Sequence, residues 1–144
     1  MWADTLLVLE REHLQRLLLW GVLSIATGTS LFARLAWKRS DATMIRHFAI
    51  QTAVWGGVVV LSAARSWQRL ALRDYAGMQE LVNILWLNTG FDVGYAAVGL
   101  TLVLTAWRWG PRLGALGAGT AVIVQGIAFA ILDLRLIAAI GPLR

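Results

Sequence analysis

Cysteine is absent from this 144-residue chain, proline occurs only twice, and only 15% of positions carry a charge. Without Cys there is no disulfide framework, thiolate nucleophile, iron–sulfur cluster or Cys-ligated zinc, and the redox compartment leaves no mark. The scarcity of charge excludes an ordinary soluble domain, since 58% of the residues are apolar and a domain this small could not hide them all from water. Also missing are a Ser-His-Asp constellation, a Gly-rich phosphate loop and a zinc-protease motif. The 14 glycines are spaced for helix packing instead.

Acidic residues are outnumbered, 8 against 13 basic ones, for a formal charge of +5. In a soluble protein that excess would suggest nucleic acid. Here the basic residues flank apolar runs, where they meet anionic headgroups, so the lipid bilayer is the expected partner and nucleic acid is not. The first residues lack an early basic region, carry Asp4, Glu10 and Glu12, and lead into an apolar run longer than a signal-peptide core, so this segment is expected to be retained.

What the chain has is length of apolar run. Four segments, roughly 14–37, 43–64, 81–107 and 113–140, each reach the ~20 residues that cross a bilayer at 1.5 Å per residue. Backbone groups cannot face lipid unpaired, so the segments are expected to be helices, and the alternating pattern of a β-barrel is absent. The expectation is one all-α domain over residues 1–144, a bundle of four transmembrane helices with short loops. In the longer 65–80 stretch, Arg65, Arg69 and Arg73 recur every four residues while Trp67, Leu70 and Met78 fall largely to another side. That pattern fits either a helix lying on the membrane surface or a plain extension of the second helix.

Trp37, Trp107 and Trp109 fall on the short-loop side and Trp2, Trp67 and Trp86 on the side of the termini, as two aromatic belts would; Trp55 sits near mid-membrane and fits neither. Basic residues divide almost evenly: Arg34, Lys38, Arg39, Arg46, Arg108 and Arg112 flank the short loops, against Arg11, Arg16, Arg65, Arg69, Arg73, Arg135 and Arg144 on the other side. The positive-inside rule therefore sets no firm orientation, with a slight lean toward cytoplasmic short loops.

The third segment carries the strongest pattern. Asn88, Asp92, Tyr95 and Gly99 fall on one helical face, and a carboxylate near mid-membrane usually faces the protein interior and finds a partner or marks a site. Asp92 is either a polar clamp, bonded to Asn88, Tyr95 or another helix, or a residue for a ligand, ion or proton. The other face carries Gly90, Gly94, Ala97 and Thr101, a small-residue track suited to close helix approach, which predicts a third helix central to the bundle or at a subunit interface. The second segment places His47, Gln51, Trp55, Ser62 and Arg65 on one stripe, with Gln51 and Trp55 expected to share a cavity with Asp92. The fourth contributes Gln125 to that cavity, Gly114 and Ala118 to helix packing, and Asp133 and Arg135, whose expected partners are Arg16 and Asp92 or, for Arg135, the headgroups.

The two histidines, His13 and His47, begin consecutive antiparallel helices on opposite membrane faces and so do not clamp one haem within a chain. A haem between subunits, or with a single axial His, stays open. Glu10, Glu12 and His13 read as a solvated helix start rather than a metal site, and no cofactor is announced.

The pattern Asn88-x-x-x-Asp92-x-x-Tyr95-x-x-x-Gly99 in the third of four helices resembles patterns in small, uncharacterised bacterial membrane proteins. The resemblance covers one helix and implies a bacterial inner-membrane setting but no activity. Sparse catalytic groups and a third helix with two faces unsuited to lipid lead to the first expectation: a non-enzymatic accessory or assembly subunit, in a homo-oligomer or with other membrane subunits. The alternative is a small transporter, channel or lipid-type ligand-binding protein built on a polar cavity around Asp92. A membrane redox or enzyme subunit comes third.

Overall fold

The four apolar runs all form helices: α1 (Trp2–Trp37), α2 (Thr43–Trp67), α3 (Tyr75–Arg108) and α4 (Leu113–Ile140), followed by a 3₁₀ turn at Gly141–Leu143. This is a computed structural model, and it describes residues 2–110 and 112–143. Pro111 of the last tight turn and Arg144 of the charge count lie outside the described residues. All four helices are long and apolar enough to cross a bilayer, as in a multi-pass membrane protein, and no strand occurs among the described residues.

Local chemistry explains the helix ends. At the end of α1, Arg39 takes φ 47°, and its N–H bonds Ala36 O at 3.2 Å while Ser40 N–H bonds Leu35 O at 3.1 Å. That pair of bonds is a Schellman cap, which satisfies two carbonyls the helix would otherwise leave open. At the start of α3, the Asp74 carboxylate accepts the Gly77 N–H at 2.8 Å, an N-cap on the first turn. Gly110, at φ 102°, makes the reversal into α4 that few other residues tolerate.

Two boundaries depart from the sequence expectation. Helix α1 begins twelve residues before its apolar run, at Trp2 rather than Leu14, because Leu6, Glu10, His13 and Leu14 form one buried stripe that holds the polar extension to the bundle. No separate surface helix forms over 65–80: α2 continues to Trp67, residues 68–74 are non-helical, and α3 starts at Tyr75. The Asp74 cap starts α3 ahead of its apolar run, so Met78 becomes part of the core instead of a surface helix.

The central helix is α4; of the two places expected for α3, at the centre of the bundle or at a subunit interface, the first is not the one it takes. α4 packs backbone to backbone with α3, with α2 and, less extensively, with α1; α1 and α2 form the other close pair. Two seams rest on facing glycines. A Cβ on Gly21 of α1 would meet Gly56 O at 3.0 Å, and one on Gly56 would meet Gly21 O at 2.7 Å. Between α3 and α4, Gly99 and Gly119 each face the other's carbonyl oxygen at 2.7 Å in the same sense. Such approach lets helices in a bilayer gain dispersion contacts where there is no hydrophobic drive to associate. By contrast, α2 and α3 do not pack backbone to backbone. They are joined through α4 along their length, and a core of Leu6, Met78, Val82, Leu85, Leu136 and Ile140 ties α1, α3 and α4 together at the end near the termini.

The exposed indoles of Trp37, Trp107 and Trp109 gather at the short-loop end, where an aromatic belt belongs. At the other end the Arg11 guanidinium stands 6.0 Å from the Trp67 ring centroid.

Candidate functional site

The gap between α2 and α3 is a groove of about 580 Å³, with α1 and α4 behind it as its floor. Its walls are Trp55, Val59 and Ser62 of α2 and Leu85, Asn88 and Phe91 of α3. Ser62, Asn88 and Phe91 are exposed along its front, so the groove opens sideways between the two helices, toward the surface that meets lipid. A second depression of about 590 Å³ lies between α1 and α4, lined by Leu19, Leu23, Val124, Ile127 and Ile131 among others. It is almost wholly apolar and suits an acyl chain of the bilayer. Polar chemistry is concentrated in the first.

At the mouth, near the termini, Arg73 grips Glu10 with Nη2 at 2.7 Å from Oε1 and Nε at 3.0 Å from Oε2. This fork ties the α2–α3 connection to α1, and its hydrogen bonds to the carboxylate hold the Arg73 guanidinium above its ordinary pKa, outweighing the opposing effect of burial. Glu10 is itself only 7% exposed, so the arginine answers a charge that would otherwise be stranded. Deeper in, His13 Nε2 of α1 lies 3.3 Å from Asp133 Oδ1 of α4, with both side chains 7% exposed. Deeper still, Asp92 of α3 is buried against the floor, where Gly126 of α4 lets the Asp92 carbonyl come within 2.6 Å of the site a Cβ would take. The far end is closed by Trp55 and Tyr95, whose rings meet edge to face with centroids 5.2 Å apart.

Of the pathway residues expected from sequence, Trp55, Asn88, Asp92 and Tyr95 line this groove together. Gln51 and Gln125 do not. Gln51 is half-buried one helical turn beyond Trp55, past the closed end. Gln125 faces α1: the Trp20 indole N–H donates to Gln125 Oε1 at 2.7 Å, and Gln125 Nε2 donates to Ser24 Oγ at 3.2 Å. The polar clamp considered for Asp92 is thus built at Gln125, because that position on α4 points to the α1 seam while the groove lies on the other flank. Asp92 makes no side-chain bond to Asn88, Tyr95 or another helix among the described residues.

The expected charge partners also differ. Asp133 is met by His13 rather than Arg16, whose guanidinium bonds Glu12 at 2.7 Å on the same helix. Arg135 is exposed and does not line the groove with Asp92. Within the chain, Gly114 packs under the His47 ring and Ala118 is half-buried. Gly90, Gly94, Ala97 and Thr101 lie exposed, and nothing stands within 4 Å of a Cβ at either glycine.

Glu10 and His13 are the site residues that sequence reading missed, having passed for a solvated helix start. A signal was present: Leu6, Glu10, His13, Leu14 and Leu17 recur at helical spacing, which marks one inward face that the two polar residues share.

Residues 16–134 match the family of unknown function DUF6992. The chain belongs to that family. No curated protein and no solved structure matches it. The DUF6992 match takes in the groove from Leu17 to Asp133, including Trp55, Asp92 and Tyr95, while Glu10 and His13 fall before it.

Proposed function

We propose that this protein binds a hydrophobic or amphiphilic small molecule from the bilayer, as a ligand-binding or transport protein of a bacterial inner membrane. The observation that carries the reading is the groove: about 580 Å³ in size, open sideways between α2 and α3, with apolar walls and a few polar side chains at graded depth. Sites for small molecules have this volume and this mixture of surfaces. A buried carboxylate inside a membrane bundle is expensive to keep and commonly marks a pathway or a site. The bacterial setting rests on the helix-three pattern, and an inner-membrane one agrees with helical spans rather than a barrel.

The test is native mass spectrometry of gently extracted protein beside a Ser62→Phe variant, which places a ring in the groove from an exposed wall position. Wild type should carry a small-molecule or lipid adduct that the variant lacks. The same adducts on both would remove the groove from the account.

A second reading, an accessory or assembly subunit that associates with itself or with other membrane subunits, is favoured by the uncovered small-residue face of α3. Gly90 and Gly94 meet no other helix of the chain, and such faces support close helix pairing in membranes. Gly94→Leu should then reduce the size of the complex recovered from the membrane; an unchanged size would count against association through α3.

A further inference from the structure

Each buried ionisable or amide side chain along the bundle has a partner within the protein except one carboxylate in the groove; the Thr52 hydroxyl of α2 is the other unpartnered buried polar atom among the described residues. Glu10 has Arg73, Asp133 has His13, and Gln125 has Trp20 and Ser24. Asp92 is 8% exposed, and its carboxylate has no hydrogen-bond or ion-pair partner among the described residues. Its oxygens are not sealed in protein either: they border the groove. To stay ionised at this depth, the carboxylate needs a counter-charge from outside the chain.

The surroundings specify what kind. Trp55, Phe91, Tyr95 and Phe129 all line the groove around Asp92, and the edge-to-face pair of Trp55 and Tyr95 closes it next to the carboxylate. A carboxylate among aromatic faces recognises an organic cation: the acid supplies the counter-charge, and the rings supply area and cation–π attraction. A metal ion lacks ligands, since no group of three or more His, Asp or Glu converges among the described residues. An anion lacks a site at this depth. Arg73 is committed to Glu10, and Arg69 sits at the mouth, with the eighteen residues of α3 from Tyr75 to Asp92, roughly 25 Å of helix, between that end and the carboxylate.

We infer that the groove takes a compact lipophilic organic cation, with Asp92 as its counter-ion and the Trp55 and Tyr95 rings against its apolar body. The inference rests on the groove-binding reading above and names the ligand class. A cation of this kind partitions into the bilayer first and reaches the site through the open front between α2 and α3, without crossing the Glu10–Arg73 pair at the mouth.

The probes are tetraphenylphosphonium and tetraphenylborate, which share shape and differ in the sign of charge, with neutral triphenylmethanol as a third. Binding to the full chain in detergent is measured by equilibrium dialysis, corrected for detergent alone. Tetraphenylphosphonium should bind saturably, and tetraphenylborate should neither bind nor compete. Asp92→Asn should weaken the cation about thirtyfold or more, the smaller end of what stripping one partner from a buried charge pair costs, while Asp92→Glu retains binding. Trp55→Leu, which leaves the carboxylate in place, should weaken it several-fold. Equal binding of the two ions, or an Asp92→Asn protein that holds the cation as well as wild type, would overturn the assignment of the cation while leaving the groove reading intact. Failure of all three probes to bind would overturn both. The comparison between the two ions uses wild type alone, so it decides the matter even if Asp92→Asn does not fold.

Discussion

The Trp20 indole donates to the Gln125 amide oxygen at 2.7 Å, joining α1 to α4 at mid-bundle, and the same amide reaches on to Ser24 at 3.2 Å. Gln125 is 3% exposed, so its two hydrogen bonds are its means of lying in hydrocarbon at all. Interhelical bonds of this kind contribute about 0.6–1.7 kcal/mol in membrane proteins. Gln125→Leu should therefore lower stability by about that amount in a mixed-micelle unfolding titration, while ligand retention in the groove is unchanged. A variant that keeps its stability but loses ligand would return Gln125 to the pathway.

Glycine substitutions should sort by seam. Gly99→Leu drives a side chain into the Gly119 carbonyl and the Ile123 backbone, so it should destabilise the fold by about 1–3 kcal/mol or prevent it from forming. Gly90→Leu meets open space and should shift the unfolding midpoint by no more than about 0.5 kcal/mol. Equal effects at the two positions would mean that α3 packs differently from the arrangement described.

The Glu10–Arg73 fork invites a double-mutant cycle. Arg73→Ala leaves the Glu10 carboxylate buried with its hydrogen bonds unmade, for an expected loss of about 1–3 kcal/mol, less than for a fully buried pair because the Arg73 side chain is 31% exposed. Glu10→Gln should cost less than Arg73→Ala, since it removes the charge that needed an answer. Additive single effects would show that the two side chains are not coupled.

Asp133 and His13 should behave as a unit. His13→Leu strands Asp133 on α4, so it should destabilise the bundle, and the double replacement His13→Leu with Asp133→Leu should recover part of that loss because apolar side chains suit this setting. If the double variant is less stable than either single one, the pair contributes more than it costs to bury.

The four spans, their order and the all-α class were legible from the sequence, because a bilayer allows few solutions for long apolar runs and the run lengths are visible in one dimension. The bounds of α4 at Leu113 and Ile140 fall where composition placed them, since Gly and polar residues bracket the run. Asp92, Tyr95, Asn88 and Trp55 were also legible as a group, because helical spacing puts residues on one face and depth along antiparallel helices can be counted. Which faces meet was not. Gln125 and Asp92 are comparable on the page, polar residues within apolar helices, and only the packing of α4 between α1 and α3 makes one a clamp and leaves the other facing a groove. Likewise, small residues on two faces of α3 suggested a helix at the bundle centre or at a subunit interface, and within the chain the close approach at Gly99 and Gly119 uses one face and leaves Gly90 and Gly94 open. The sequence by itself determined the solvent, the helices and the residues too polar for lipid. The tertiary structure alone decided their partners, because partner choice depends on the rotation of each helix about its axis, set by backbone approach at a few glycines rather than by hydrophobicity along the chain.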